Sequence, residues 1–309
     1  MEAGAAHLLV ETEQLEALGP AFLLEVRLDE GAGSLPDADV AIHPSYLEAG
    51  CDESRYYPHY ERPEHGNLLP LPELQKAIAA LGISGERLVV VYGTGDYHAM
   101  IACRVLWGLL VAGVPDVRLL NGGLQAWRAA GKPIKDGMER IGLRRPAPQV
   151  GGEPPRWAPR LEFVATTAEV EEVQRSPESA QVLDIRREGE FNGTITDVYT
   201  FFAVAGHVPK STWIENWDQL VEEDGRLVDP SKLAVKWRES FGVRDGVRLI
   251  MLCGTGWRST IAWLLARLMG RAAANYDDGF YGWTFTGERP IEPKPAPSPS
   301  EDIPDGPSK

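Results

Sequence analysis

Cysteine is scarce in this chain: Cys51, Cys103 and Cys253 are the only three among 309 residues. They are too few and too scattered for a disulfide framework, and their spacing matches no zinc pattern. No metal and no cofactor is therefore expected. Long apolar runs are lacking as well. No stretch approaches the roughly 18 residues of a membrane helix, and Met1-Glu2-Ala3-Gly4 has neither the basic nor the apolar region of a signal peptide. A reducing cytoplasm is the expected setting, with the periplasm left open should a leader have been removed. Positive charge is in deficit too: 31 Lys and Arg face 45 Asp and Glu, a net charge of −14. So acidic a chain is a poor partner for nucleic acid or an anionic membrane, and neither is expected. A small anionic substrate stays open, because a local cradle of N–H groups with one arginine overrides a distant negative field.

What the chain does have is apolar core. With 43% hydrophobic and 25% charged residues it reads as a soluble globular protein long enough for two domains. The most informative stretch runs from Val247 to Leu252, through Cys253-Gly254-Thr255-Gly256-Trp257-Arg258, into Ser259 to Met269. It reads as a buried strand, a tight loop opening on a cysteine, and an apolar helix. A thiol there faces the first free amides of the helix and the positive end of its dipole, and both favour the thiolate. Gly254 and Gly256 let successive N–H groups turn inward around an anion. A lone cysteine after an apolar strand is more often a small core residue. Two glycines, an arginine and a helix start within six positions tell against that here. The stretch therefore reads as a cysteine nucleophile in an anion-holding loop, with its sulfur exposed.

The chain also says nearly the same thing twice, at an offset of about 160 residues. Leu23-Leu24-Glu25-Val26-Arg27 answers Val182-Leu183-Asp184-Ile185-Arg186, and Ile42-His43-Pro44 answers Gly206-His207-Val208-Pro209. Leu88 to Gly95 answers Leu249 to Gly256, and Leu120-Asn121-Gly122-Gly123 with Trp127 answers Asp277-Asp278-Gly279-Phe280 with Trp283. Each half alternates short apolar runs with helical stretches, the pattern of βα units around a parallel sheet. The expected division is a first domain over 1–145, a Pro/Gly-rich linker over 146–160, a second domain over 161–292 and a solvated tail over 293–309. Where the second half has Cys253 the first has Tyr92, and Cys103 reads as a core residue of a helix. The scaffold is duplicated; the nucleophile is not.

Two α/β halves with the thiol only in the second resemble the tandem-domain rhodaneses, the thiosulfate and 3-mercaptopyruvate sulfurtransferases. The resemblance covers about residues 8–292. It rests on Leu183-Asp184-Ile185-Arg186, on Gly206-His207-Val208-Pro209, on the Cys253 to Arg258 loop, and on Asp278-Gly279-Phe280 with Trp283. It implies two rhodanese-like domains, each a mainly parallel sheet flanked by helices, and transfer of a sulfane sulfur through a Cys253 persulfide. The donor would be an anionic, thiosulfate-like small molecule; the acceptor would be cyanide, a small thiol or a protein thiol. Cys253 would be catalytic, and Gly254, Thr255, Gly256, Trp257, Arg258 and Ser259 would bind substrate, with Arg186 a further candidate. Cys-Gly-Thr-Gly is similar to the mercaptopyruvate branch. That branch, however, places an arginine where this chain has Glu190, in Gly189-Glu190-Phe191-Asn192-Gly193, and Glu190 is expected to repel a carboxylate.

Several residues keep two readings. Arg258 either anchors an anionic donor or pairs with an acidic neighbour. Trp257 walls the pocket or belongs to a docking surface for the acceptor. Asp184 and Arg186 read as an ion pair ending a core strand, His43 and His207 as backbone-bonding residues, and Ser259 and Thr260 as serving the helix N-terminus. The enzymatic rival is a cysteine phosphatase, which needs arginine six positions after the cysteine; here Arg258 is five on and Ser259 occupies the sixth. The non-enzymatic rival is a docking or regulatory protein.

Overall fold

The computed structural model describes residues 5–29, 33–51, 60–137, 139, 157–195 and 205–292. Most of the expected linker, and the whole expected tail over 293–309, lie outside the described residues.

The first half runs β1 (Leu9–Val10), α1 (Thr12–Leu15), β2 (Phe22–Val26), β3 (Val40–Ile42), α2 (Leu71–Ala80), β4 (Val89–Gly93), α3 (His98–Ala112), β5 (Val117–Leu120) and α4 (Gly123–Ala129). The second runs β6 (Val164–Ala165), α5 (Thr167–Arg175), β7 (Ala180–Asp184), α6 (Glu188–Phe191), β8 (Thr212–Trp213), α7 (Pro230–Phe241), β9 (Arg248–Leu252), α8 (Ser259–Leu268), β10 (Ala273–Tyr276) and α9 (Gly279–Thr284). Each half forms a five-stranded sheet, ordered β1-β5-β4-β2-β3 and β6-β10-β9-β7-β8, with every pairing between these strands parallel. The two orders are the same order. The fold is therefore α/β, with the internal repeat of the sequence expressed as a repeated topology.

Continuous apolar runs make the central strands. Phe22–Val26, Val89–Gly93 and Ala180–Asp184 are buried at every residue, and in Arg248–Leu252 only Arg248 escapes. Helices cover both faces of such a sheet, so alternation gives way to unbroken hydrophobicity. Helix α3 goes further: all of His98–Ala112 except Met100 is buried, because it lies between the halves and packs on α8. A helix apolar on all sides requires such a place. It stops at Gly113, where φ is +92° and a Cβ would fall 2.2 Å from the Ala158 carbonyl oxygen. Elsewhere the ends are set by local chemistry. Thr166 and Glu169 form a capping box on α5, while Asp229 caps α7 just before Pro230.

The largest buried cluster belongs to neither half alone. It joins Leu106 and Trp107 of α3 to Ile261, Trp263 and Leu264 of α8, and the Trp107 indole donates to the Phe163 carbonyl at 3.0 Å. Smaller clusters fill the outer face of each sheet, around Val90, Tyr92 and Trp127 in the first half and Ile250, Phe280 and Trp283 in the second. The interface is thus a shared core. No described helix is long and apolar enough to cross a membrane.

Candidate active site

Parallel α/β sheets place their ligand sites at the carboxyl ends of the strands. Strand β9 ends at Leu252, Cys253 follows it, and α8 begins at Ser259. Between them the loop is pressed against the turn that enters α9. A Cβ on Gly279 would fall 2.5 Å from the Gly254 carbonyl oxygen, and one on Gly256 would fall 2.5 Å from that of Asp277. Both glycines have positive φ, +59° and +76°. Glycine is needed there twice over, for the backbone angle and for the space.

The loop's carbonyls are taken from outside. Phe280 N donates to Cys253 O at 2.8 Å and Tyr281 N to Gly254 O at 2.9 Å. Asn275 Nδ2 donates to Gly256 O at 3.1 Å, and Thr260 Oγ1 to Trp257 O at 2.6 Å. The amides of Gly254, Thr255, Gly256, Trp257 and Ser259 donate to no protein acceptor among the described residues. A peptide whose oxygen is held outward turns its N–H the other way, so the amides of Gly254, Thr255 and Trp257, each of which follows a held carbonyl, face the inside of the loop. Ser259 Oγ donates to Cys253 Sγ at 3.3 Å. The sequence assigns Ser259 to the helix N-terminus; its hydroxyl is spent on the sulfur instead.

The expected exposure of the sulfur is corrected. Cys253 is 0% exposed and belongs to the cluster that runs through both halves. The whole loop from Gly254 to Ser259 is buried with it. The first half, which the sequence leaves without a place in space, lies against this loop. Trp257 lies with its ring 6.5 Å from that of His43, and its indole faces Glu48. The two buried cysteines still differ. Around Cys103 burial alone acts and pushes the thiol up, whereas Cys253 has a hydroxyl on its sulfur and a ring of unspent amides beside it.

The charged candidates are redistributed. Arg258 Nη1 and Nη2 donate to Glu190 Oε2 and Oε1 at 2.8 and 2.9 Å, in a two-pronged pair almost wholly buried. Of its two readings the structure takes the pairing. Burial raises the Glu190 carboxyl, but the hydrogen bonds and charge of Arg258, then Arg186 and the Arg187 amide, outweigh it and hold the group below its usual range. The expectation of a bare repelling Glu190 is therefore corrected too, for its charge is answered across 68 positions of sequence. Arg186 donates to both oxygens of Asp184, to Gly206 O at 2.9 Å, and stacks on Phe280. At 2% exposure it is as buried as the loop, with its guanidinium held by Asp184 and Gly206. His207 lies 2.9 Å from Phe191 O and 2.7 Å from Glu292, and His43 Nδ1 accepts from Ser45 N.

One residue absent from the sequence reading reaches the loop from the other half. Arg104, in the middle of α3, donates to Glu48 at 2.9 Å, to Asp277 at 2.6 Å and to Gly66 O at 2.9 Å. Its Nη1 also stands 3.5 Å from Gly256 O. An arginine inside an otherwise apolar helix is the signal that could have found it, since a fully buried arginine requires partners. Desolvation raises both carboxyls against the opposing pull of Arg104, taking Glu48 to about 7.

The first half shows the same loop closed. The register corrects the match drawn from the sequence: Tyr92 pairs with Glu25 as Leu252 pairs with Asp184, so Gly93 and not Tyr92 stands where the cysteine does. Tyr92 faces the outer cluster, donating to Glu25 at 2.6 Å and accepting from Leu35 N at 3.3 Å. A Cβ on Gly93 would fall 2.0 Å from His98 O, so the turn has folded onto itself. The His98 ring nitrogens lie 3.1 and 2.9 Å from the carbonyls of Gly95 and Gly225, the latter from the second half. Glu25 and Arg27 repeat the ion pair of Asp184 and Arg186 at 3.3 Å.

Comparison with known proteins agrees with this geometry. The description "Rhodanese-like domain" matches residues 16–130 and again 166–286. The thiosulfate sulfurtransferase YnjE of Escherichia coli is 28% identical over 71% of this chain, a match spanning about half (49%) of that protein's length. SseB of Mycobacterium tuberculosis, which carries a provisional thiosulfate sulfurtransferase name, is 28% identical over 90% of this chain and 92% of its own. Among solved structures, an EanB variant with a cysteine persulfide and ergothioneine superposes at a TM-score of 0.75. That match is 26% identical and covers 93% of this chain and 70% of EanB.

Proposed function

Because the chain belongs to the rhodanese family, with two rhodanese-like domains in tandem, we propose that it is a sulfurtransferase working through a persulfide on Cys253. The observation that carries this is the loop between β9 and α8, where one sulfur meets a hydroxyl at 3.3 Å and a set of amides without protein acceptors. The Cys253 thiolate attacks the terminal sulfur of an anionic, thiosulfate-like donor. An S–S bond forms to Sγ, the donor's own S–S bond breaks, and its electron pair leaves on sulfite. A thiophilic acceptor, cyanide or a thiol, then takes the outer sulfur and returns the thiolate.

In this reading the amides of Gly254 to Trp257, with that of Ser259, hold the negative charge that moves from Sγ to the persulfide's outer sulfur. Donors fixed before the reaction contribute roughly 3–4 kcal/mol each in comparable sites. The Ser259 hydroxyl orients Sγ. Arg258 supports the rim through Glu190 and does not meet the donor as a bare cation. Trp257 walls the sulfur on the side of His43. A covered sulfur also suits a donor whose reacting atom is terminal, as in a sulfane donor. The phosphatase alternative is not favoured: Arg258 stands five positions after Cys253 and both its terminal nitrogens are held by Glu190. A purely docking role is not favoured either, given the polar shell around Sγ.

The test is donor-to-cyanide sulfur transfer with intact-mass detection on the full chain. Native protein treated with a sulfane donor gains the mass of one sulfur, and cyanide removes it. Cys253→Ser and Cys253→Ala retain the fold and lose turnover by a factor of about a thousand or more. Persistent transfer in either variant defeats the proposal.

A further inference from the structure

We propose that Glu190 is a specificity-determining residue: it cancels the charge of Arg258 beside the cysteine loop and turns the site toward sulfane donors of single negative charge, thiosulfonate in type, and away from the thiosulfate dianion. The inference rests on the persulfide reading above and adds to it the charge class of the donor.

Two guanidinium groups belong to the elements that flank Cys253, Arg258 in its loop and Arg186 just after β7, the strand paired with β9, and each is matched by a carboxylate. Arg258 is held by Glu190 through two bonds of 2.8 and 2.9 Å, and Arg186 by Asp184 through bonds of 2.7 to 3.1 Å. All four side chains are at least nine-tenths buried. Glu190 is fixed on its own element as well, for the Arg187 amide donates to its Oε2 at 3.2 Å and closes the first turn of α6. Rotating it away from Arg258 would break three hydrogen bonds and strand two buried charges. The pair is therefore a standing feature of the unliganded site. What remains for an anion is the row of amides after Cys253, which answers one charge well. A second charge has no unmatched cation among these four groups.

The favoured donor delivers sulfur as follows. The Cys253 thiolate attacks the terminal sulfur of R–SO2–S⁻; the Sγ–S bond forms, the S–S bond breaks, and its electron pair leaves on the sulfinate R–SO2⁻. The persulfide anion keeps the charge the thiolate brought, and no outside oxidant or reductant enters. With thiosulfate the same bonds change, but the leaving sulfite carries two charges through a neutralised rim.

The experiment compares methanethiosulfonate with thiosulfate, donors that share the attacked sulfur and differ by one charge. Values of kcat/KM with cyanide, and the rate of sulfur gain on Cys253 by intact mass, are measured for the full chain and for Glu190→Gln, Arg258→Gln and the double variant. In Glu190→Gln the ratio of thiosulfate to methanethiosulfonate use rises about tenfold, and the gain shrinks as salt is raised from about 50 to 500 mM. In Arg258→Gln the ratio falls. In the double variant, where the charges cancel again, it returns to within about twofold of the native ratio. A merely structural Glu190 lowers both donors together and leaves the ratio and its salt dependence unchanged, which overturns the inference. Should a single variant not fold, the native protein decides. Its loading rates, each divided by that donor's rate with a free small thiol, favour methanethiosulfonate, and equal or reversed preference overturns the inference. If neither donor places sulfur on native Cys253, the persulfide reading itself has failed. If both do and the ratio does not move, only the role of Glu190 has.

Discussion

Around the ends of β4 and β9 stand nearly the same residues, Tyr92-Gly93-Thr94-Gly95 and Cys253-Gly254-Thr255-Gly256, one register position apart in their sheets, and each stretch leads into a helix, at His98 and at Ser259. In the second half the loop is braced open by its surroundings: carbonyls held from outside, Ser259 on the sulfur, Glu190 on Arg258. In the first it has closed. His98 O sits where a Gly93 Cβ would be, and Gly225 of the other half reaches the His98 ring. The lesson is that a strand-loop-helix scaffold does not by itself make a site; the thiol, the hydroxyl beside it and the contacts that surround the loop differ between the halves. The first half has also acquired a different task. Through Arg104 it touches Asp277 and stands by Gly256, so the half without a thiol supports the loop of the half that has one.

The comparison is broken most severely by removing that support. Arg104→Met leaves Glu48 and Asp277 buried without their cation, and the expected cost is about 3–5 kcal/mol of stability with a fall of roughly a hundredfold in sulfur loading on Cys253. Denaturant unfolding and intact-mass kinetics check both. Unchanged loading in a folded Arg104→Met protein would mean the two halves merely share a core.

Glu48 gives the same contact a pH dependence. Its folded value, about 7, lies above the ordinary 4.5, chiefly through burial, with Arg104 opposing and Asp277 reinforcing. The stability from holding that proton is complete below 4.5 and is lost as the pH rises through about 7. Native protein should lose up to roughly 3 kcal/mol relative to Glu48→Gln on going from pH about 5 to about 8, as read by unfolding at each pH. Parallel profiles for the two proteins would remove Glu48 from the titration.

A smaller effect is expected at the sulfur. Ser259→Ala removes the donor to Sγ and should slow loading by roughly tenfold, close to the worth of one hydrogen bond to a charged group, while unfolding shifts little. The smallest expected effect is none. Tyr92→Cys in a Cys253→Ala background puts a thiol at the end of β4, one register position before the place that matches Cys253, yet no sulfur should add to it, because that side chain faces the outer cluster of the first half and not the loop. Sulfur gain at that position would show that the thiol alone separates the halves.

Much of this was legible in the chain. Val182 to Arg186 and Val247 to Leu252 are short, largely apolar runs of strand length, and their echo at Leu23 and Leu88 announced a repeated parallel sheet. The loop glycines were legible because tight turns demand them. The burial of Cys253, the pairing of Arg258 with Glu190 and the reach of Arg104 were not. Arg258 and Glu190 are 68 positions apart and Arg104 and Asp277 are 173 apart, the cover of the loop brings together residues more distant still, and nothing local in either partner names the other.

The sequence by itself determined which residues form strands and helices, where the single thiol follows a central strand, and that one scaffold is used twice. Those properties follow from backbone geometry and apolar periodicity, which act over a few neighbouring residues. Tertiary structure alone decided how the thiol is covered, which charges are cancelled and which half supports the other. Burial, desolvation and ion pairing depend on distances through space, and those exist only once the two halves have closed on their common core.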